Sequence, residues 1–165
     1  MRRFLPTLAI LGAIAAAQPA FAQKHCAVLA DQATFEVQAL RSHLVVLATG
    51  CPDTELYKAF VEKYKPTLQA NAQSLTAWFK KRYGARGQFE HDKFVTDLTN
   101  AMSSDANLQG GDFCPHDGRM FDEVMALRSG ADLAQYASSK DLIPTSVEIC
   151  AGQPVKPAPK PAPRR

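Results

Sequence analysis

From Ala27 to Ala48 the apolar positions Leu29, Ala33, Val37, Leu40, Leu44 and Leu47 recur every three or four residues. That spacing matches the turn of an α-helix, so the segment predicts a helix with one buried stripe. Gly50 and the following Cys51-Pro52 end it, glycine by supplying a left-handed cap and proline by preventing continuation. Asp53 stands where an N-cap belongs, and Leu56, Phe60 and Tyr64 resume the helical spacing. Beyond Pro66 the stripe continues through Leu68, Ala72, Leu75 and Phe79, so residues 54–82 predict a rod kinked at Pro66 or two helices meeting there. Gly84 and Gly87 bracket a tight connection to a helix carrying Phe94, Val95, Leu98 and Met102. Residues 103–118, rich in Ser, Asp and Gly, read as loop. Met120, Phe121, Val124 and Leu127 mark a further helix that Gly130 ends, and a short one runs from Asp132 to about Ser139. Val147 and Ile149 suit an extended segment but have no strand to pair with. The pattern predicts an all-α bundle of five or six helices.

The two ends follow different rules. Residues 1–22 have a basic start (Arg2, Arg3), an apolar stretch from Phe4 to Ala17, and Ala20-Phe21-Ala22 before Gln23. This predicts a signal peptide cut between Ala22 and Gln23, and export. No later apolar run is long enough to span a bilayer, so no transmembrane segment is expected after cleavage. At the other end, residues 151–165 place proline at nearly every second position from Pro154 on, which predicts a disordered tail of polyproline II character. The helical domain is then residues 23–150.

Charge changes the picture once these ends are removed. The chain has 19 basic and 16 acidic residues. Losing Arg2 and Arg3 leaves 17 against 16, and setting aside Lys156, Lys160, Arg164 and Arg165 of the tail leaves 13 against 16. The body is mildly acidic, which argues against nucleic acid as a partner.

Four cysteines, Cys26, Cys51, Cys114 and Cys150, lie beyond the signal peptide, and an even number in an exported chain reads as two disulfides. A helix of about 21 residues between Cys26 and Cys51 spans roughly 30 Å, whereas bridged Cα atoms lie within about 7 Å. Cys26–Cys51 is therefore excluded, and Cys114–Cys150 with it. If the rod runs one way past Pro66, the pairs are Cys51–Cys114 and Cys26–Cys150; if the chain reverses there, they are Cys26–Cys114 and Cys51–Cys150. Only an unreversed rod is long enough to cover the first helix, which favours Cys51–Cys114 with Cys26–Cys150.

The densest polar segment is Lys80–Asp92. Its cations beside a glycine turn either form an anion site at a helix N-terminus or offset the negative end of the preceding helix, as Glu90 and Asp92 offset the positive end of the next. Trp78, Phe79 and Tyr83 cluster at the same place, and with Trp78 adjacent to Phe79 at least one should leave the core stripe. Glu90, His91 and Asp92 together with Asp112, His116 and Asp117 contain no H-E-x-x-H and no zinc spacing, so neither metal nor cofactor is expected. There is no G-x-S-x-G, and His25, His43, His91 and His116 have no recognisable triad partners. Glu36, Glu90 and Glu123 are available for a carboxylate pair, but nothing selects them. The candidate site is a binding surface of Trp78, Lys81, Arg82, Tyr83, Arg86 and His91, with no catalytic residue.

The stretch from Trp78 through Gln88 and Asp92 into Phe94-Val95-Thr96 resembles a segment of small exported helical proteins of Gram-negative bacteria that carry disulfides and no assigned activity. The resemblance implies periplasmic residence and disulfide bonding, and supplies no catalytic residue. The reading is a periplasmic, non-catalytic binding or interaction protein whose partner is a protein or an anionic envelope component. A hydrolase of envelope polymers, or a small-ligand carrier with a cavity between helices, is the alternative.

Overall fold

A computed structural model of the chain describes residues 29–51 and 53–144. Seven α-helices follow in order: α1 Leu29–Gly50, α2 Thr54–Lys63, α3 Lys65–Tyr83, α4 Gly87–Gln109, α5 Phe113–Asp117, α6 Arg119–Ala126 and α7 Gly130–Lys140. Short 3-10 turns at Gly84–Arg86 and Gly110–Asp112 flank α4. The fold is an all-α, disulfide-stapled bundle. The signal-peptide and tail segments, Cys26, Cys150 and the Val147–Ile149 stretch lie outside the described residues.

Helix α1 is the axis of the bundle, with α2, α3, α4, α5 and α7 packed around it. The expected stripe of Val37, Leu40, Leu44 and Leu47 is buried, but so are Phe35, Ala39, Val46 and Ala48 on the other sides, while Ala33 is exposed. Three polar side chains, Glu36, Gln38 and Ser42, are buried with them. Such groups are tolerated inside only when partnered. Gln38 donates to Ser42 at 3.2 Å, and Glu36 accepts from Gln32 at 2.7 Å and from the Ser138 hydroxyl of α7. A single-stripe amphipathic reading of α1 is thus corrected to a helix enclosed on nearly every side.

The rod of α2 and α3 is kinked, not reversed. Backbone bonding passes through the junction, Tyr64 N–H donating to Phe60 at 3.0 Å and Leu68 N–H to Tyr64 at 2.8 Å. The break falls at Tyr64 (φ −104°), two residues before the expected Pro66, which instead lies in the first turn of α3 where its missing N–H is harmless. The junction also closes the end of α6. Tyr64 Oη donates to Val124 O at 2.7 Å, and Lys63 Nζ donates to the Met125 and Leu127 carbonyls at 2.5 and 2.8 Å. These are the carbonyls a helix leaves without partners at its C-terminus.

Just past the C-terminal end of α1, Cys51 and Cys114 are bonded, with Cα atoms 5.8 Å apart across a sequence separation of 63. The bridge joins the tip of α1 to α5, the arrangement expected of an unreversed rod.

Four local expectations are corrected. Residues 103–117 are helical, not loop: α4 continues to Gln109 because Met102 is buried, Ala106 packs against the core, and the Ser103 and Ser104 hydroxyls bond back to the Thr99 and Asn100 carbonyls at 2.9 and 3.0 Å, and the Gly110–Asp112 turn and α5 follow, with Phe113 buried. Gly50 stays helical instead of taking a left-handed cap, and the helix closes through Cys51 N–H to Leu47 O at 2.8 Å. Asp53 sits at the N-cap of α2, but its side chain accepts no capping bond. Gly130 begins α7 instead of ending the helix before it, with Ser129 as N-cap accepting from Asp132 N–H at 3.1 Å.

Candidate functional site

Helices α3 and α4 meet at a corner built by two glycines. Gly84 has φ +56° and ψ −123°, a conformation that side chains resist, and it turns the chain out of α3. Gly87 starts α4 against the backbone of α3, where an added Cβ would stand 2.6 Å from the Lys80 Cα. The glycine spacing thus serves helix-to-helix approach, and the polar residues between and around it are presented outward.

The residues expected to form a binding surface divide here into two groups. Trp78 turns inward: its ring meets Phe35 edge-on at 4.9 Å, and its Nε1 donates to Asp31 Oδ2 at 3.0 Å. Tyr83 stacks on Phe79 at 5.9 Å, and His91 meets Phe79 edge-on at 5.6 Å. Trp78 and Tyr83 are half-buried and His91 is mostly covered, so these rings wall the core with Phe79 and Phe94 more than they line a surface.

The cations face out. Lys80 and Lys81 are exposed, Arg82 is half-buried, and none of the three forms an ion pair among the described residues. Arg82 lies over the Trp78 ring at 5.2 Å. Arg86 pairs with Glu90 at 2.5 Å and covers the ring of Phe89 at 5.8 Å. Phe89 is a residue the sequence reading missed, and it is 61 % exposed. Its phase on α4 was the available signal, since nine residues separate it from buried Leu98 and place the two on opposite faces. Asp92 accepts from Gln88 at 2.9 Å and contacts His91 at 3.0 Å; these contacts, His91 first, hold its carboxyl below the ordinary range.

The two sets of acidic and histidine side chains near the ends of α4 are far apart. Glu90, His91 and Asp92 open α4, whereas Asp112, His116 and Asp117 lie beyond its other end, and 23 helical residues span about 34 Å. Among the described residues no group of three or more His, Cys, Asp or Glu side chains is placed to hold a metal ion.

Near the disulfide, Asp117 lies between two histidines. His43 Nε2 is 3.2 Å from Asp117 Oδ2 without an aligned hydrogen bond, and His116 Nδ1 is 2.6 Å from Oδ1. Burial pushes the His43 imidazole below its usual range, and the attraction of Asp117 offsets part of that. The unfolded chain, with an ordinary histidine near 6.5, then takes up a proton that the folded chain refuses. Stability contributed by neutral His43 is present above that value and is lost as pH falls below it. Urea denaturation at about pH 7.5 and about pH 5 should show a steeper loss for the native chain than for His43→Gln; equal losses would assign the acid sensitivity elsewhere.

An open groove of about 310 Å³ lies beside the same bridge, between the ends of α1 and α4, lined by Val46, Thr49, Ser103, Asn107, Phe113 and Cys114 among others. Its described lining contains no titratable side chain, so it does not supply the paired carboxylates of a polymer hydrolase. Glu123, another candidate carboxylate, is engaged elsewhere: it accepts from Lys140 at 2.7 Å and from Tyr136 at 2.6 Å, and these bonds, Lys140 first, hold it below the usual carboxylate range. Glu36 is committed to Gln32 and Ser138.

No helix among the described residues is long and apolar enough to cross a membrane. No family model, curated protein or solved structure matches the chain.

Proposed function

We propose that this chain is an exported, periplasmic, non-catalytic binding protein whose working surface is the α3–α4 corner. The observation that carries the reading is the run of cations Lys80, Lys81, Arg82 and Arg86 about the Gly84–Gly87 turn, with the exposed Phe89 ring against Arg86. The Phe89 ring lies on the solvent face of α4, where a partner can reach it. Arginine over an aromatic face keeps that ring partly shielded until a partner replaces the cation or adds to it. The disulfide supports export, since such bonds persist in oxidising compartments.

A photo-crosslinking residue placed at Phe89 and, separately, at exposed Lys58 on α2 tests the assignment in envelope extract. Adducts should form at position 89 and not at position 58. Equal labelling at both positions, or none at 89, would remove the corner from consideration.

A further inference from the structure

The His43–Asp117 contact lies where a short element can leave the bundle without unfolding it. Helix α5 is a single stretch of five residues, Phe113–Asp117, too short to persist without its packing. Gly110, at φ +58°, and Gly111 precede it, and an added Cβ at either would meet nothing within 4 Å, so the chain can pivot there. The face that α5 turns to α1 carries Phe113, Cys114 and Asp117. Phe113 is buried and meets the His43 ring edge-on at 6.0 Å. Cys114 is bonded to Cys51, and Asp117 Oδ2 stands 3.2 Å from His43 Nε2.

The last of these contacts is incomplete. His43 Nε2 is buried with no aligned hydrogen bond, which is costly for a neutral ring and more so for a charged one. The charged and titratable groups that reach His43 belong to α5: Asp117 directly, and His116 through the other oxygen of Asp117, at 2.6 Å. From α2, α3, α4 and α7, the other helices packed on α1, no charge acts on it among the described residues. Asp117 attracts an imidazolium, but burial outweighs that attraction, so the docked turn disfavours the proton. With α5 withdrawn, water reaches the ring and the proton binds at its ordinary value, near 6.5. Docking of α5 is therefore favoured above that value and weakens as pH falls below it. We propose that α5 is an acid-released latch: protonation of His43 frees the Phe113–Asp117 turn from α1 and withdraws Phe113 from the wall of the groove between α1 and α4, while the Cys51–Cys114 bridge tethers the turn for its return. This device does not depend on the α3–α4 corner.

Amide exchange of the full oxidised chain tests the latch, with protection corrected for the intrinsic effect of pH on exchange. At about pH 7.5 and about pH 5, Phe113–Asp117 should exchange faster than the α1 span around Leu44. Low urea should leave that faster exchange unchanged, because a local opening exposes little surface. Between the two pH values the opening of this turn should increase severalfold, and by no more than about thirtyfold, the ceiling for one proton bound near 6.5. His43→Gln should flatten the response, while His116→Gln, which alters a side chain 73 % exposed, should keep it. Exchange at Phe113–Asp117 no faster than around Leu44 at about pH 5 would overturn the proposal, since the turn would then open only with the whole bundle. So would a native response that is flat with pH, that survives in His43→Gln, or that is lost in His116→Gln. The first two of these outcomes are read on the native chain and decide the matter even where a variant fails to fold.

Discussion

A Phe35→Ala substitution is expected to destabilise the protein by about 4 kcal/mol, near the upper end for truncating a buried ring. Phe35 is 1 % exposed and stands at the centre of the aromatic cluster, with Trp78 at 4.9 Å, Phe94 at 5.3 Å and Phe79 at 6.2 Å. Removing the ring leaves a void between three helices, α1, α3 and α4, none of which can close it without losing contacts of its own. The Trp78 ring would lose its edge-on partner, so its fluorescence reports the same event. Phe89→Ala is the internal control: the same change on the solvent face of α4 should shift stability by less than about 0.5 kcal/mol. Urea midpoints for the two variants check the contrast. A loss below about 1 kcal/mol at Phe35 would mean that the cluster does not organise the core.

Removing the disulfide is the second large effect. In the chain-entropy description, a bridge across a separation of 63 residues is worth about 4 kcal/mol. Cys51→Ala/Cys114→Ala should therefore melt well below the oxidised protein, and reduction of the native chain should give at least as large a loss. The bridge fastens α5 to the tip of α1, so its removal should loosen α5 and the groove beside it before the rest. Amide exchange in Phe113–Asp117 should rise more than in the buried span of α1 around Leu44. Uniform loss of protection across both would show that the bridge holds the whole bundle and not one end.

Much of this architecture was legible because burial on one face writes a period into the sequence. Leu68, Leu75 and Phe79 on α3, and Phe94, Leu98 and Met102 on α4, follow the spacing and are buried. Helix length excluded only Cys26–Cys51 in the sequence; Cys51–Cys114 followed from reading residues 54–82 as a rod that does not reverse at Pro66, and that bridge is present. What local spacing did not reveal is non-local. Glu36, Gln38 and Ser42 lie off the apolar stripe of α1, yet they are buried because α7 covers that helix, and the Ser138 hydroxyl, 102 residues away, donates to Glu36. Residues 103–109 have a loop-like composition because they form the wetted end of a helix, where serine hydroxyls bond back to the preceding turn. Ser129-Gly130 carries both stop and start signals, and the extended Ser129 backbone decides for the start of α7.

The candidate corner was legible in composition and not in orientation. The run Lys80–Arg82 and the glycines were visible, and both glycines are explained by the turn they make. Which rings face inward is set by packing against Phe35 on another helix, so Trp78 and His91 were grouped with surface residues although each is turned toward the core.

A disulfide clamp joins α1 to α5 in a chain proposed above to be exported. Non-reducing peptide mapping of the native chain recovered from its source tests this most directly. The expected result is a linked Cys51–Cys114 peptide pair, no free thiol, and a start at Gln23. A free Cys51, or a Cys26–Cys51 peptide pair, would contradict both the clamp and the uninterrupted helix beneath it.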